Sequence, residues 1–198
     1  MKRLTEGVAF NSGGKHKVSI GGVAVRSYVA WRHMISRCYC PKTQKKQPTY
    51  IGCTVTDEWL DYQAFAEWFC EQEYSDIGYD LDKDLLVVGN KVYSPETCSF
   101  IPRELNSILT DCKAARTNLP QGVSFDKRCG KYQSRVNLNV GRKSLGYFDC
   151  PSDAYKAYKD AKEAYVKERA LHWKDRIDPR VFDAIMDWRL SYSDSMPE

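Results

Sequence analysis

Tyr132-Gln133-Ser134-Arg135-Val136-Asn137-Leu138-Asn139 alternates residue by residue along its whole length. In an extended strand successive side chains point to opposite faces, so Tyr132, Ser134, Val136 and Leu138 share one face and Gln133, Arg135, Asn137 and Asn139 the other. The first face suits burial and the second is continuously polar. Residues 122–127 and 143–148 are also strand-like, with Gly130 and Gly141 in the connections. Pro151 then precedes Ser152, read as a helix cap, with Asp153 in the first turn. The helix they open places Ala154, Tyr155, Ala157, Tyr158, Ala161, Ala164 and Tyr165 on one face. So many small residues allow it to lie close against a three-stranded sheet. Asp178-Pro179 caps a last helix bearing Val181, Phe182, Ile185, Met186 and Trp188. The small sheet does not need that helix, which packs back on the N-terminal half or forms a dimer contact.

The N-terminal half reads differently. Residues 15–20 and 23–26 flank Gly21-Gly22 as a short basic hairpin. Tyr28, Trp31, Met34, Ile35 and Cys38 recur at helical spacing over three turns. Residues 42–48 break that helix as a basic loop. A second helix is expected over about 61–72, with Tyr62, Phe65, Trp68 and Phe69 inward. Residues 79–88 and 92–101 read as extended pieces joined through the turn-forming Gly89-Asn90. Pro102 then opens a helix over 103–112, where its missing N–H costs nothing. Strand, turn, strand and helix make a ββα unit.

Composition bounds the function. The 198 residues contain no run of about 20 apolar residues, so no membrane span is expected, and the start leads into no signal-peptide stretch. Both point to a cytoplasmic protein. The eight cysteines are scattered without finger spacing, which argues for reduced, buried thiols and against zinc. The net charge of +4 conceals a sorted pattern. Residues 1–50 carry ten Lys/Arg against Glu6, and residues 113–150 carry eight against two acids. Between them, residues 51–112 carry three Lys/Arg against thirteen Asp/Glu. Two basic segments flanking an acidic one suggest a polyanion-binding surface. Arg32, Arg37, Lys45 and Lys46 read as phosphate contacts, and the acidic middle as a possible protein interface.

Arg and Asn make bidentate contacts to guanine and adenine edges in the major groove. Ser124, Lys127, Arg128, Arg142 and Ser144 extend the polar strand face carrying Gln133, Arg135 and Asn137. At this point Gln121-Gly122-Val123, Gly130-Lys131-Tyr132-Gln133-Ser134-Arg135-Val136, Leu145-Gly146-Tyr147-Phe148-Asp149 and Ser152-Asp153-Ala154-Tyr155-Lys156-Ala157-Tyr158 resemble an AP2 DNA-binding domain over about 45 residues. The resemblance implies a three-stranded sheet laid into the major groove and backed by one helix, with Arg135, Asn137, Arg142 and Ser144 facing DNA. Ser124 stands where the plant domains usually have Arg, and Ser144 where they usually have Trp.

Trp31-Arg32-His33-Met34-Ile35-Ser36-Arg37-Cys38-Tyr39, Val55-Thr56-Asp57-Glu58-Trp59, Leu81-Asp82-Lys83-Asp84, Tyr93-Ser94-Pro95-Glu96-Thr97-Cys98 and Glu104-Leu105-Asn106 follow one another within residues 28–106. In that order and spacing they resemble phage HNH homing-endonuclease-like proteins. Active relatives begin the motif with an Asp-His pair; here Lys83 replaces the His, Thr97 falls where a structural Asn is usual, and Asn106 holds the helix position. A lysine ammonium is a proton donor at neutral pH, not a base. Asp82, Lys83, Asp84 and Asn106 are the candidate catalytic residues. Asp82, Asp84 and Asn106 are the candidate ligands for Mg²⁺.

The expected architecture is α+β in two modules. Residues 1–112 form the HNH-like domain, 113–121 a basic linker, 122–171 the AP2-like domain and 172–198 a C-terminal helical extension. The expected function is binding of double-stranded DNA with a degenerate nuclease site. A Mg²⁺-dependent nicking or homing endonuclease using Asp82 or Asp84 is the first alternative. A protein-binding modulator of a phage or host factor is the second. If the origin is phage, the compartment is the cytoplasm of the bacterial host.

Overall fold

Gly21 and Gly22 both take positive φ, the region open to glycine, and close a two-stranded antiparallel hairpin of β1 (Ser19–Ile20) and β2 (Val23–Ala24). The structure is a computed structural model and describes residues 4–75, 78–110, 119–138 and 141–190. Residues 113–118 of the expected linker, with Cys112 and Asn139, lie outside that set. The chain divides into two compact units. The first holds residues up to Arg103 together with Arg176–Val181; the second holds Glu104–Asp175 and the residues from Phe182 onward. The architecture is α+β, with four small sheets among the described residues. No helix among the described residues is long and apolar enough to cross a membrane.

In the first unit, α1 (Arg26–Tyr39) buries Trp31, Met34, Ile35 and Cys38, as its spacing requires. The expected basic loop that follows is instead a short helix, α2 (Pro41–Lys46). Proline at its first position presets the backbone. The Gln44 side-chain amide donates to the Cys38 carbonyl at 2.7 Å, and the Ser36 and Thr43 hydroxyls meet at 2.8 Å, tying it to α1. After β3 (Thr54–Val55), Asp61 caps α3 (Tyr62–Glu71) by accepting the Gln63 N–H at 3.2 Å. Trp31, Trp59, Tyr62 and Phe65 are fully buried and form the centre of the core. The Trp31 indole N–H donates to the Trp59 carbonyl at 2.8 Å, so a core this aromatic still satisfies that buried donor.

The extended pieces pair in a different way from a hairpin closed at Gly89-Asn90. β4 (Tyr79–Asp82) stops early and β5 (Val92–Tyr93) runs parallel to β3. The antiparallel partner of β4 is β6 (Ser99–Pro102), with Leu81 opposite Phe100 and Asp82 opposite Ser99. The reason is local. Asp82 accepts the N–H groups of Asp84 and Leu85, which turns the chain out of β4 after four residues. The helix α4 (Arg103–Leu109) follows, with Pro102 as the last residue of β6 rather than the first of the helix.

In the second unit β7 (Val123–Asp126), β8 (Lys131–Leu138) and β9 (Gly141–Phe148) form an antiparallel sheet in the order β7-β8-β9. α5 (Pro151–Trp173) backs it through Ala154, Tyr155 and Tyr158, which pack with Val123 and Val136. The cap is Cys150, whose sulfur accepts the Asp153 N–H, rather than Ser152, because Pro151 is already helical. Ala164, expected inward, is exposed, and the buried face continues through Val166 and Ala170. After α6 (Pro179–Asp187), Trp188 and Leu190 join the sheet core. Lys159 donates to the Leu190 carbonyl at 2.6 Å, and the Leu190 N–H donates to Glu163 at 2.8 Å. The small sheet therefore does use the tail of the chain.

Candidate nucleic-acid interface

One irregularity shapes the open face of the three-stranded sheet. Ser134 pairs with Gly146 and Arg135 with Ser144, which leaves Leu145 without a partner on β8. The extra residue is a bulge, with Gly146 at φ +123°. Leu145 packs toward the α5 side with Phe148 and Leu138. Ser144 and Tyr147, three apart and on opposite faces of a regular strand, thus share the open face. Cross-strand pairing adds Ser124 beside Gln133 on one flank, Tyr147 on the other, and Arg142 beside Asn137. Period-two alternation puts Tyr147 on the opposite face, and the glycine inside the strand is the sequence sign of a bulge.

The side chains of this face are already organised in pairs. Arg135 donates from Nε to Gln133 Oε1 at 2.7 Å and from its terminal nitrogen to the same oxygen. Arg142 Nε donates to Asn137 Oδ1 at 3.2 Å. Arg128 forms a two-pronged contact with Asp126, at 3.1 and 2.8 Å, and the Tyr147 hydroxyl donates to the same carboxylate at 3.5 Å. Arg128 accordingly holds the Asp126 carboxyl down at about 2. Lys131 pairs with Asp149 at 3.1 Å. Gln133 is buried and Arg135 half-buried, whereas Ser124, Lys127, Arg128, Asn137, Arg142 and Ser144 are exposed.

The second group of candidates lies in the turn after β4. Asp82 Oδ1 accepts from the N–H of Asp84 at 3.1 Å and of Leu85 at 2.8 Å. Burial and the neighbouring Asp84 push its carboxyl above the usual range. Lys83 is buried and spends its ammonium internally. Nζ donates to Asp84 Oδ2 at 3.0 Å and to the Asn90 carbonyl at 2.8 Å, and it lies 5.9 Å from the centre of the Tyr93 ring. The Asn90 side-chain amide returns a hydrogen bond to the Lys83 carbonyl. Asp82 and Asp84 belong to the first unit and Asn106, on α4, to the second. These residues do not fit a Mg²⁺ ion. One oxygen of Asp82 already serves two N–H groups, and a fixed ammonium sits against Asp84 where a dication would approach. Among the described residues no group of three or more His, Cys, Asp or Glu is arranged to hold a metal.

The remaining basic candidates are in the first unit. Arg32 and His33 are exposed on α1 and border a shallow cleft of about 300 Å³ with Tyr28 and Ser36. Lys45 and Lys46 are exposed in the last turn of α2. Arg37 differs: its guanidinium lies 5.3 Å over the Tyr50 ring and beside the Tyr93 hydroxyl, and it is half-buried. Compared with protein-family models, with curated proteins and with solved structures, the chain matches none.

Proposed function

We propose that this chain binds double-stranded DNA through the open face of β7–β9, as the AP2 resemblance implies, and that its HNH-like ββα region is a non-catalytic frame. The observation that carries the reading is the donor character of that face. Gln133, Asn137, Asp126 and Asp149 each turn an oxygen toward a cation of their own. Arginine has no acceptor, so the amides facing Arg135 and Arg142 must present oxygen inward and their NH₂ groups elsewhere. What remains available outward includes N–H groups of Arg135, Arg142 and the exposed Asn137 amide, with the Ser124 and Ser144 hydroxyls. Phosphate oxygens and the guanine O6/N7 edge are acceptors only, and complement such a surface.

The loss of catalysis follows from Lys83. A hydrolytic site of this kind needs a base to activate water and a cation against the phosphate. A buried ammonium held by Asp84 and the Asn90 carbonyl supplies no base. The test is fluorescence anisotropy with a labelled duplex across a salt series. Two phosphates neutralised by Lys127 and Arg142, with Arg128 already held by Asp126, would give a log–log slope of about −1.8. A flat salt dependence, or no binding at low salt, overturns the reading and leaves the acidic 51–112 region as a protein interface to be tested instead.

A further inference from the structure

On the first unit, away from the turn after β4, the N-terminal segment lies across α3 and brings together a thiol, an imidazole and a carboxylate. The Cys70 sulfur is 3.9 Å from His16 Nδ1, and His16 Nε2 is 2.7 Å from Glu67 Oε2. Glu67 and Cys70 are three residues apart on α3, so they share one face of the helix. His16 is fixed from both sides of its backbone: its N–H donates to Gln63 Oε1 and its carbonyl accepts from Gln63 Nε2, each at 3.0 Å. Lys15 holds the same Glu67 carboxylate at 2.8 and 2.9 Å.

A carboxylate only accepts, so His16 donates Nε2–H to Glu67, and in the neutral ring the Nδ1 lone pair faces the thiol. That is the order nucleophile, base, orienting acid that activates a thiol elsewhere. Cys70 is exposed while the His16 ring is largely covered, so a small reagent reaches the sulfur and the base is shielded.

We propose that Cys70, His16 and Glu67 form a thiol-exchange site for small-molecule disulfides. His16 Nδ1 takes the Cys70 proton and the imidazolium is stabilised by Glu67. The thiolate attacks one sulfur of the disulfide; a new S–S bond joins Cys70 to that half as the old S–S bond breaks. The departing thiolate takes the proton back from His16, so the exchange needs no other oxidant.

The test is oxidised glutathione with the full chain, followed by peptide mass mapping over time. Cys129 is the internal reference, being exposed with its thiol directed at the Asp126 carbonyl instead of a histidine. Cys70 forms its mixed disulfide about tenfold faster than Cys129. Glu67→Gln, a change at an exposed position that leaves the fold in place by circular dichroism, brings Cys70 down toward the Cys129 rate, and His16→Ala does so fully. Equal rates at the two cysteines in the native chain overturn the proposal, and so does either variant reacting at Cys70 as fast as the native chain.

Discussion

Gly122→Ala is the sharpest perturbation of the sheet module. Gly122 sits at φ +77°, and a methyl group there would lie 2.1, 2.5 and 2.6 Å from three ring carbons of Tyr158. Two costs add. Alanine in the left-handed region costs roughly 1–2 kcal/mol. Overpacking against a ring that is itself buried under the sheet costs about 1–3 kcal/mol more. The sum is about 2–5 kcal/mol, which for a unit of this size lowers Tm by roughly 10–30 °C. The position also matters for the open face, because the Gly122 carbonyl accepts the Arg135 N–H at 2.8 Å and so fixes where Arg135 leaves the strand. Thermal melts of Gly122→Ala, Tyr158→Ala and the double variant give the decisive comparison. Tyr158→Ala destabilises by itself, since it empties buried space, but it removes the clash, so the double variant is less destabilised than the two single changes added together. A Gly122→Ala protein within about 0.5 kcal/mol of the native one, or strict additivity, refutes the close approach of α5 to the sheet.

Four further outcomes follow. Arg135→Ala weakens duplex binding about 5- to 100-fold with the salt slope unchanged if Arg135 reads base edges, whereas Arg142→Ala lowers the slope by about 0.9; the reverse assignment refutes the division of labour. Supercoiled plasmid stays intact with native protein and Mg²⁺ or Mn²⁺, and nicking that disappears in Asp82→Ala refutes the non-catalytic frame. Lys83→Met destabilises by roughly 1–3 kcal/mol, because the Asn90 carbonyl loses its donor inside the turn, and a neutral effect in urea melts contradicts the buried hydrogen bonds. The Asp126 carboxyl is depressed in the folded state by Arg128, so its pair contributes above the ordinary carboxylate range near pH 4 and is lost as pH falls through about 2; an NMR titration midpoint near 4 rules the pair out.

The sequence made legible the elements whose periodicity was carried by burial. Trp31, Met34, Ile35 and Cys38 had to share a helix face, and Val136 a sheet face, because nothing else hides them from water. What escaped was set by hydrogen bonds between residues distant in sequence. The strand ended at Asp82 because a carboxylate caps two N–H groups, and residues 92–93 paired with 54–55, not with 79–82. α2 depended on Gln44 reaching the Cys38 carbonyl. Tyr147 joined the open face only because Leu145 is an extra residue, and a count of alternating positions puts it on the wrong side. At the turn after β4 the motif named the residues but not their state: Lys83 reads as a displaced base in the sequence and as a buried strut in the structure.

The contrast between Lys83 and Arg135 explains why one candidate site is closed and the other open. Lys83 faces a carboxylate, so its charge is cancelled at 3.0 Å, and it also donates to a backbone carbonyl inside the same turn. Arg135 and Arg142 face neutral amides. Each amide oxygen orients its guanidinium without cancelling the charge. A guanidinium carries five N–H donors, and the bonds to Gln133 occupy two groups of Arg135, so the rest of the fork keeps both its charge and its geometry for a partner. An arginine held by a carboxylate would be rigid but neutralised, and an arginine with no partner would be charged but mobile. The amide pairing gives a half-buried cation that is rigid and still cationic, which is the property a surface needs to meet a fixed row of phosphates and base edges at low entropic cost.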